Sequence, residues 1–142
     1  MPDKNKGNTS KENDFPKSGR LYLKDETEDL FRNGKKFYVK PLKIQYTFVL
    51  ADIAESRSAI MISVPKKYHH SAVKRNHIKR LIREAWRTHN AELEAKLVRQ
   101  KKKLNLAVIY LSGDIPDYSE IESKIILTLQ RLTDLLSNEQ SL

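Results

Sequence analysis

Residues 58–87, SAIMISVPKKYHHSAVKRNHIKRLIREAWR, decide how this 142-residue chain is read. The opening SAIMISV is rich in β-branched and apolar residues and ends at Pro65, which predicts a strand. Ser71 then offers a side-chain oxygen as a helix cap, and residues 71–100 carry helical periodicity. Residues 91–100 are either a continuation of that helix or a second one. At about 100° per residue from Arg75, Ile78, Leu81, Ile82 and Ala85 fall on one arc, with Trp86 at its border. Arg75, Asn76, Lys79, Arg80, Arg83 and Arg87 fall on the other. The helix is split lengthwise into a core face and a cationic face.

Outward from this stretch the pattern is that of an α+β chain. Residues 25–33 predict a short helix with Leu30 and Phe31 on its apolar side and Gly34 as its stop. Residues 37–50 are β-like, with Leu42, Ile44, Tyr46 and Phe48 on one side of a period-two pattern and Pro41 at a strand end or edge. Residues 51–57 are polar and read as a hairpin loop joining this strand to the next. Residues 104–111, LNLAVIYL, are almost continuously apolar, as expected of a central strand covered on both faces. A turn follows at 112–117, then an amphipathic helix over 118–136. The expected organisation is a basic, polar, disordered tail at 1–19, one domain at 20–136 and a frayed end at 137–142.

The formal net charge is +9, from 27 Lys and Arg against 18 Asp and Glu. It is segregated: residues 66–103 hold 13 cationic and three acidic side chains, a net of +10, so the remainder carries −1. A solvated face ordinarily mixes signs, so this asymmetry reads as the footprint of a polyanion. Nucleic acid is the first candidate. A merely solvated stripe and a membrane surface are the other readings of a basic amphipathic helix, and the flanking strands argue against the latter by giving the apolar arc a core.

Several chemistries are excluded or unsupported. The chain has no cysteine, which removes disulfides, thiolate metal sites and a cysteine nucleophile. Its four histidines have no zinc-site spacing, and there is no phosphate-binding loop, dinucleotide fingerprint or carboxylate pair suited to acid–base work. The first 20 residues lack an apolar run of the kind a signal peptide needs, so the expected compartment is the cytoplasm. Phe31, Phe37, Tyr38, Tyr46 and Phe48 are expected mainly in the core, with Phe31 and Tyr46 also placed to line a groove where unpaired nucleotides stack. Trp86 is expected to be packed.

The ordered string Ile62-Ser63-Val64-Pro65-Lys66-Lys67, followed by residues 72–84, resembles the protein component of bacterial ribonuclease P. The family's Arg-Asn-Arg-x-Lys-Arg hallmark falls on Arg75, Asn76, His77, Lys79 and Arg80, and its Phe-x-x-Gly element on Phe31 to Gly34. The resemblance covers about residues 20–136. It implies a two-layer α/β sandwich with a left-handed βαβ crossover. It implies RNA-subunit contacts at Lys66, Lys67, Lys74, Arg75, Asn76, His77, Lys79, Arg80, Arg83 and Arg87. A cleft between the sheet and the first helix, to which Phe31 and Tyr46 are matched, would bind the single-stranded 5′ leader of precursor tRNA. The implied activity is endonucleolytic hydrolysis that removes that leader, with catalytic RNA and precursor tRNA as partners. Mg²⁺ would be held mainly by the RNA subunit and substrate, so the protein supplies no catalytic residue and no metal ligand. No membrane or obligate protein partner is expected. The competing function is a non-enzymatic RNA-binding or ribosome-assembly protein. The chain departs from the pattern in four places: His77 lacks arginine's permanent charge and planar fork, Pro65 stands where serine is common, the loop Tyr68-His69-His70-Ser71 is one residue longer and lacks the usual glycine, and Thr27 stands near a second aromatic position of the cleft.

Overall fold

A computed structural model describes residues 24–140 of the protein. The expected tail at 1–19 lies outside these residues. In chain order the elements are α1 (Lys24–Asn33), β1 (Lys35–Val39), β2 (Leu42–Leu50), a 3₁₀ turn (Ile53–Glu55), β3 (Ser58–Ser63), α2 (Ala72–His89), α3 (Ala91–Gln100), β4 (Lys102–Tyr110) and α4 (Tyr118–Gln140). This is an α+β fold with one four-stranded sheet ordered β1-β2-β4-β3.

The sheet order follows from the apolarity of β4. A strand without polar alternation must be covered on both faces and paired on both edges. β4 is paired antiparallel with β2 and parallel with β3. Leu104, Leu106, Val108 and Tyr110 enter the main core, while Ala107 packs on the reverse face with Leu30, Ala59 and Met61. This corrects one expectation: residues 51–57 do not close a hairpin. β4 lies between β2 and β3, and the segment carries the chain past its end, with Ala51 N–H donating to the Lys101 carbonyl at 3.0 Å. The true hairpin joins β1 to β2 around the cis Lys40–Pro41 peptide.

Three helices cover one face. The apolar seam of α2, Ile78, Ile82, Ala85 and Trp86, is buried against the sheet and α4. Each fully buried isoleucine contributes roughly 1.5–3 kcal/mol by removal from water. The long helical pattern resolves into two helices broken at Asn90. α3 ends at Lys101 in the left-handed region (φ 54), its N–H bonded to the Leu97 and Val98 carbonyls. The start of β3 is tied to α3 through Glu94, whose carboxylate accepts from the Ser58 N–H at 3.0 Å and from the Ser58 hydroxyl. Burial pushes this carboxyl above its ordinary value, against the lowering effect of the two Ser58 bonds.

α4 begins with a reciprocal cap: Glu120 N–H donates to Asp117 Oδ1 at 2.9 Å, and Asp117 N–H to Glu120 Oε1 at 3.0 Å. Helix α4 runs to Gln140, with Ser137 hydrogen-bonded to Lys96 and Glu139 paired with Lys102 at 3.1 Å. Among the described residues, α1 is the one helix on the reverse face, held by three things. Leu30 is buried, the Gln45 amide donates to the Leu30 carbonyl at 3.2 Å, and Lys103 grips both Glu26 oxygens at 3.0 and 2.8 Å.

Gly34 closes α1 by donating to the Leu30 carbonyl at 2.9 Å, and a Cβ there would press into that same oxygen. Gly34→Ala should therefore lower stability by about 1–3 kcal/mol, read as a fall in thermal midpoint. Glu94→Ala strands the buried Ser58 N–H and should cost about 1–3 kcal/mol. Glu94→Gln tests the charge. Since the folded state raises this acid's pKa, wild type carries a buried-charge penalty that is relieved as pH falls toward the ordinary glutamate value of 4.5. The stability difference between wild type and Glu94→Gln should move in wild type's favour over that descent, as followed by urea unfolding.

Candidate nucleic-acid interface

The parallel pair β3–β4 sends both of its exit loops to the same end of the sheet. The first, residues 64–71, leads into α2; the second, 111–117, leads into α4. His69 joins them. Its ring is buried, its Nε2 lies 2.8 Å from the Ser112 carbonyl, and it packs against Tyr110 with ring centroids 6.1 Å apart. Ser71 caps α2, accepting from Lys74 N–H at 3.3 Å. Arg75 turns back and donates through Nη1 to the His69 and His70 carbonyls at 3.0 and 2.8 Å. The loop that presents Lys66 and Lys67 is thus braced from both sides.

The cationic arc expected on α2 is two stripes. Arg75, Lys79 and Arg83 are each half-buried along the border of the core face. Lys74, Asn76, His77, Arg80 and Arg87 are exposed. The i, i+4 spacing groups Arg75, Lys79 and Arg83, but successive fours advance the helix by about 400°, so the row drifts from the core border toward solvent. Lys66 and Lys67 are exposed beside the helix start, with the Lys67 ammonium 5.2 Å from the centre of the Tyr68 ring. Glu84, the one acid within α2, pairs with Arg87 at 2.7 Å. The Arg87 hydrogen bond holds its carboxyl below the ordinary glutamate value. This pair spans the distal part of the face, so the unopposed positive field concentrates around Lys66, Lys67, Lys74 and Arg80.

Two exposed apolar side chains lie beside these cations. Val73 is 78% exposed and Ile115 47% exposed. With Lys74, Asn76, His77 and Arg80 they line one depression of about 500 Å³. The signal in the sequence for Val73 is an apolar residue in the polar phase of the helix; Ile115 has none, because its proximity is tertiary.

The groove expected between Phe31 and Tyr46 does not form. Tyr46 shares its side of β2 with Leu42 and Ile44, so the two-residue repeat directs it into the helical layer. There it is only 6% exposed, packed against Phe37 and Phe48 with ring centroids 5.8 and 5.6 Å away. Burial, then the Glu139 charge, pushes its hydroxyl pKa up. Phe31 is 47% exposed on α1, on the opposite face of the sheet. Trp86 is buried as expected. Beneath α1 lie the cross-strand partners Thr47 and Asn105, whose Oγ1 and Oδ1 are buried without a hydrogen-bond partner among the described residues. Among those residues no three of His, Cys, Asp or Glu are grouped as metal ligands would be, and no helix is long and apolar enough to cross a membrane.

A family model described as Ribonuclease P matches residues 15–133. The ribonuclease P protein component of Porphyromonas gingivalis is 36% identical over 116 residues, which cover 82% of this chain and 84% of that protein. That of Nitrosomonas eutropha is 40% identical over 75 residues, 53% of this chain and 60% of its own. Among solved structures, the RNase P protein from Thermotoga maritima superposes with a TM-score of 0.61 at 22% identity, over 79% of this chain and 96% of that one. The Staphylococcus aureus RNase P protein gives 0.60 at 18% identity, over 80% and 94%. At these identities the structures establish the shared fold. The family match and the Porphyromonas relative extend over most of the sequence, including the braced cationic helix, and the chain belongs to the ribonuclease P protein family.

Proposed function

We propose that this chain is the protein subunit of ribonuclease P, binding the catalytic RNA and assisting hydrolytic removal of the 5′ leader from precursor tRNA. The observation that carries the reading is the rigid cationic surface at the carboxyl end of β3–β4, in a chain of this family. Arginine and lysine side chains fixed on a helix neutralise phosphates and displace counterions from the RNA. Lys66, Lys67, Lys74 and Arg80 are the exposed contacts. Arg75 acts mainly by bracing the loop that carries the first two.

The bond cleaved is a phosphodiester, and the Mg²⁺ that activates water and offsets developing charge would be held by the RNA and the substrate. The protein's part is to bind and orient. Substrate contact belongs on the α1 face, where Phe31 is exposed to stack on an unpaired leader base. The cytoplasm, where precursor tRNA is processed, is the compartment this reading assigns.

The deciding experiment is reconstitution of the chain with its cognate catalytic RNA and a precursor tRNA at low Mg²⁺. Stimulated 5′ cleavage is expected, and no stimulation across a salt and Mg²⁺ series would sink the reading. Arg80→Ala should reduce the salt dependence of RNA binding by about 0.7–0.9 in log–log slope. Arg75→Ala should in addition speed amide exchange across residues 65–71. Phe31→Ala should weaken binding only of substrates with an unpaired leader, by about 1–3 kcal/mol. Tyr46→Ala should instead cost about 3–5 kcal/mol of folding stability.

A further inference from the structure

The depression between α2 and the 112–117 loop combines features that a plain phosphate-binding surface does not need. One exposed valine on a surface requires no explanation. Here two apolar side chains, Val73 and Ile115, share a depression whose remaining lining is Lys74, Asn76, His77 and Arg80, with no carboxylate among them. Nor is Ile115 exposed through looseness of its loop. The Tyr110 hydroxyl donates to the Asp114 carbonyl at 3.0 Å, Asp114 N–H donates to Ser112 Oγ at 3.1 Å, and the buried His69 ring contacts the Ser112 carbonyl. The loop is held on both sides of Ser112, so the apolar wall is preformed and little ordering cost attends its use.

We propose that this depression receives one unpaired nucleotide of the partner RNA. Its base lies against Val73 and Ile115, its phosphate is neutralised by Lys74 and Arg80, and the Asn76 amide, able both to donate and to accept, meets the base edge. The occupant follows from charge complementarity. A protein partner offering only apolar side chains would leave the cations unopposed, and a paired helix would present phosphates with no base face for the aliphatic wall. A volume of about 500 Å³ is enough for one nucleotide. The inference rests on the RNA-subunit reading above and adds a base-binding element to it.

The test uses the full chain and the cognate catalytic RNA. Wild type, the double variant Val73→Ser/Ile115→Ser, and Arg80→Ala are titrated across a salt series, and the RNA is probed with base-directed reagents in each complex. Both apolar side chains project from the core, and thermal unfolding of the double variant confirms that its fold is kept. The double variant should bind about tenfold more weakly with an unchanged salt slope, and one unpaired base protected in the wild-type complex should regain reactivity. Arg80→Ala should weaken binding with a shallower slope. Unchanged affinity in the double variant, or no base whose protection depends on Val73 and Ile115, overturns the proposal while leaving the RNA-subunit reading intact. Failure of wild type to bind the catalytic RNA removes both. Self-association of wild type that the double variant abolishes, with RNA binding unaltered, assigns the patch to a second copy instead and also overturns it.

Discussion

The structure depends on β4 lying between β2 and β3. Its almost unbroken apolar sequence is stable only when covered on both faces, and its place in the sheet forces the chain to leave β3, cross the sheet as α2 and α3, and return parallel to β3. That crossover brings the exits of β3 and β4 to one end. The His69 contact with Ser112 and the approach of Ile115 to Val73 both follow from it. Removing β4 from the centre would leave α2 amphipathic but would dismantle the surface around its first turns.

The two faces of the sheet do different work. The helical face is a dry core in which aromatic and aliphatic residues from β1, β2, β4, α2, α3 and α4 interdigitate. The reverse face carries small and polar residues, Ala59, Ala107, Gln45, Asn105 and Lys103, with α1 fastened over them by few but directional contacts. The Lys103–Glu26 pair is largely withdrawn from solvent, so losing one partner would leave a poorly solvated charge. α1 is positioned by these contacts more than by hydrophobic area, which suits a helix whose outward aromatic, Phe31, is assigned to substrate.

Electrostatics on α2 also divides labour within one sequence motif. Residues identical in charge have unlike roles once their surroundings are known. Arg75 bonds two backbone carbonyls, Arg87 is engaged with Glu84, and Lys74 and Arg80 are exposed beside an apolar wall. His77 stands on this exposed side, at the edge of the depression, so the missing guanidinium falls where the base-binding element begins.

The sequence by itself determined the elements and the cationic surface. The 3.6-residue repeat separates Ile78, Ile82 and Ala85 from the charged residues, the period of two places Leu42, Ile44, Tyr46 and Phe48 on one side, and the apolar run of β4 declares a central strand. These are local properties, written in the spacing of side chains along one element. Tertiary structure alone decided which strands are neighbours, so that residues 51–57 bridge separated strands instead of closing a hairpin. It decided that Tyr46 and Phe31 lie on opposite faces, because periodicity shows which residues share a side but not which layer covers it. It also decided that Ile115 shares a depression with Val73 and that His69 reaches Ser112, contacts between segments that only the crossover brings together.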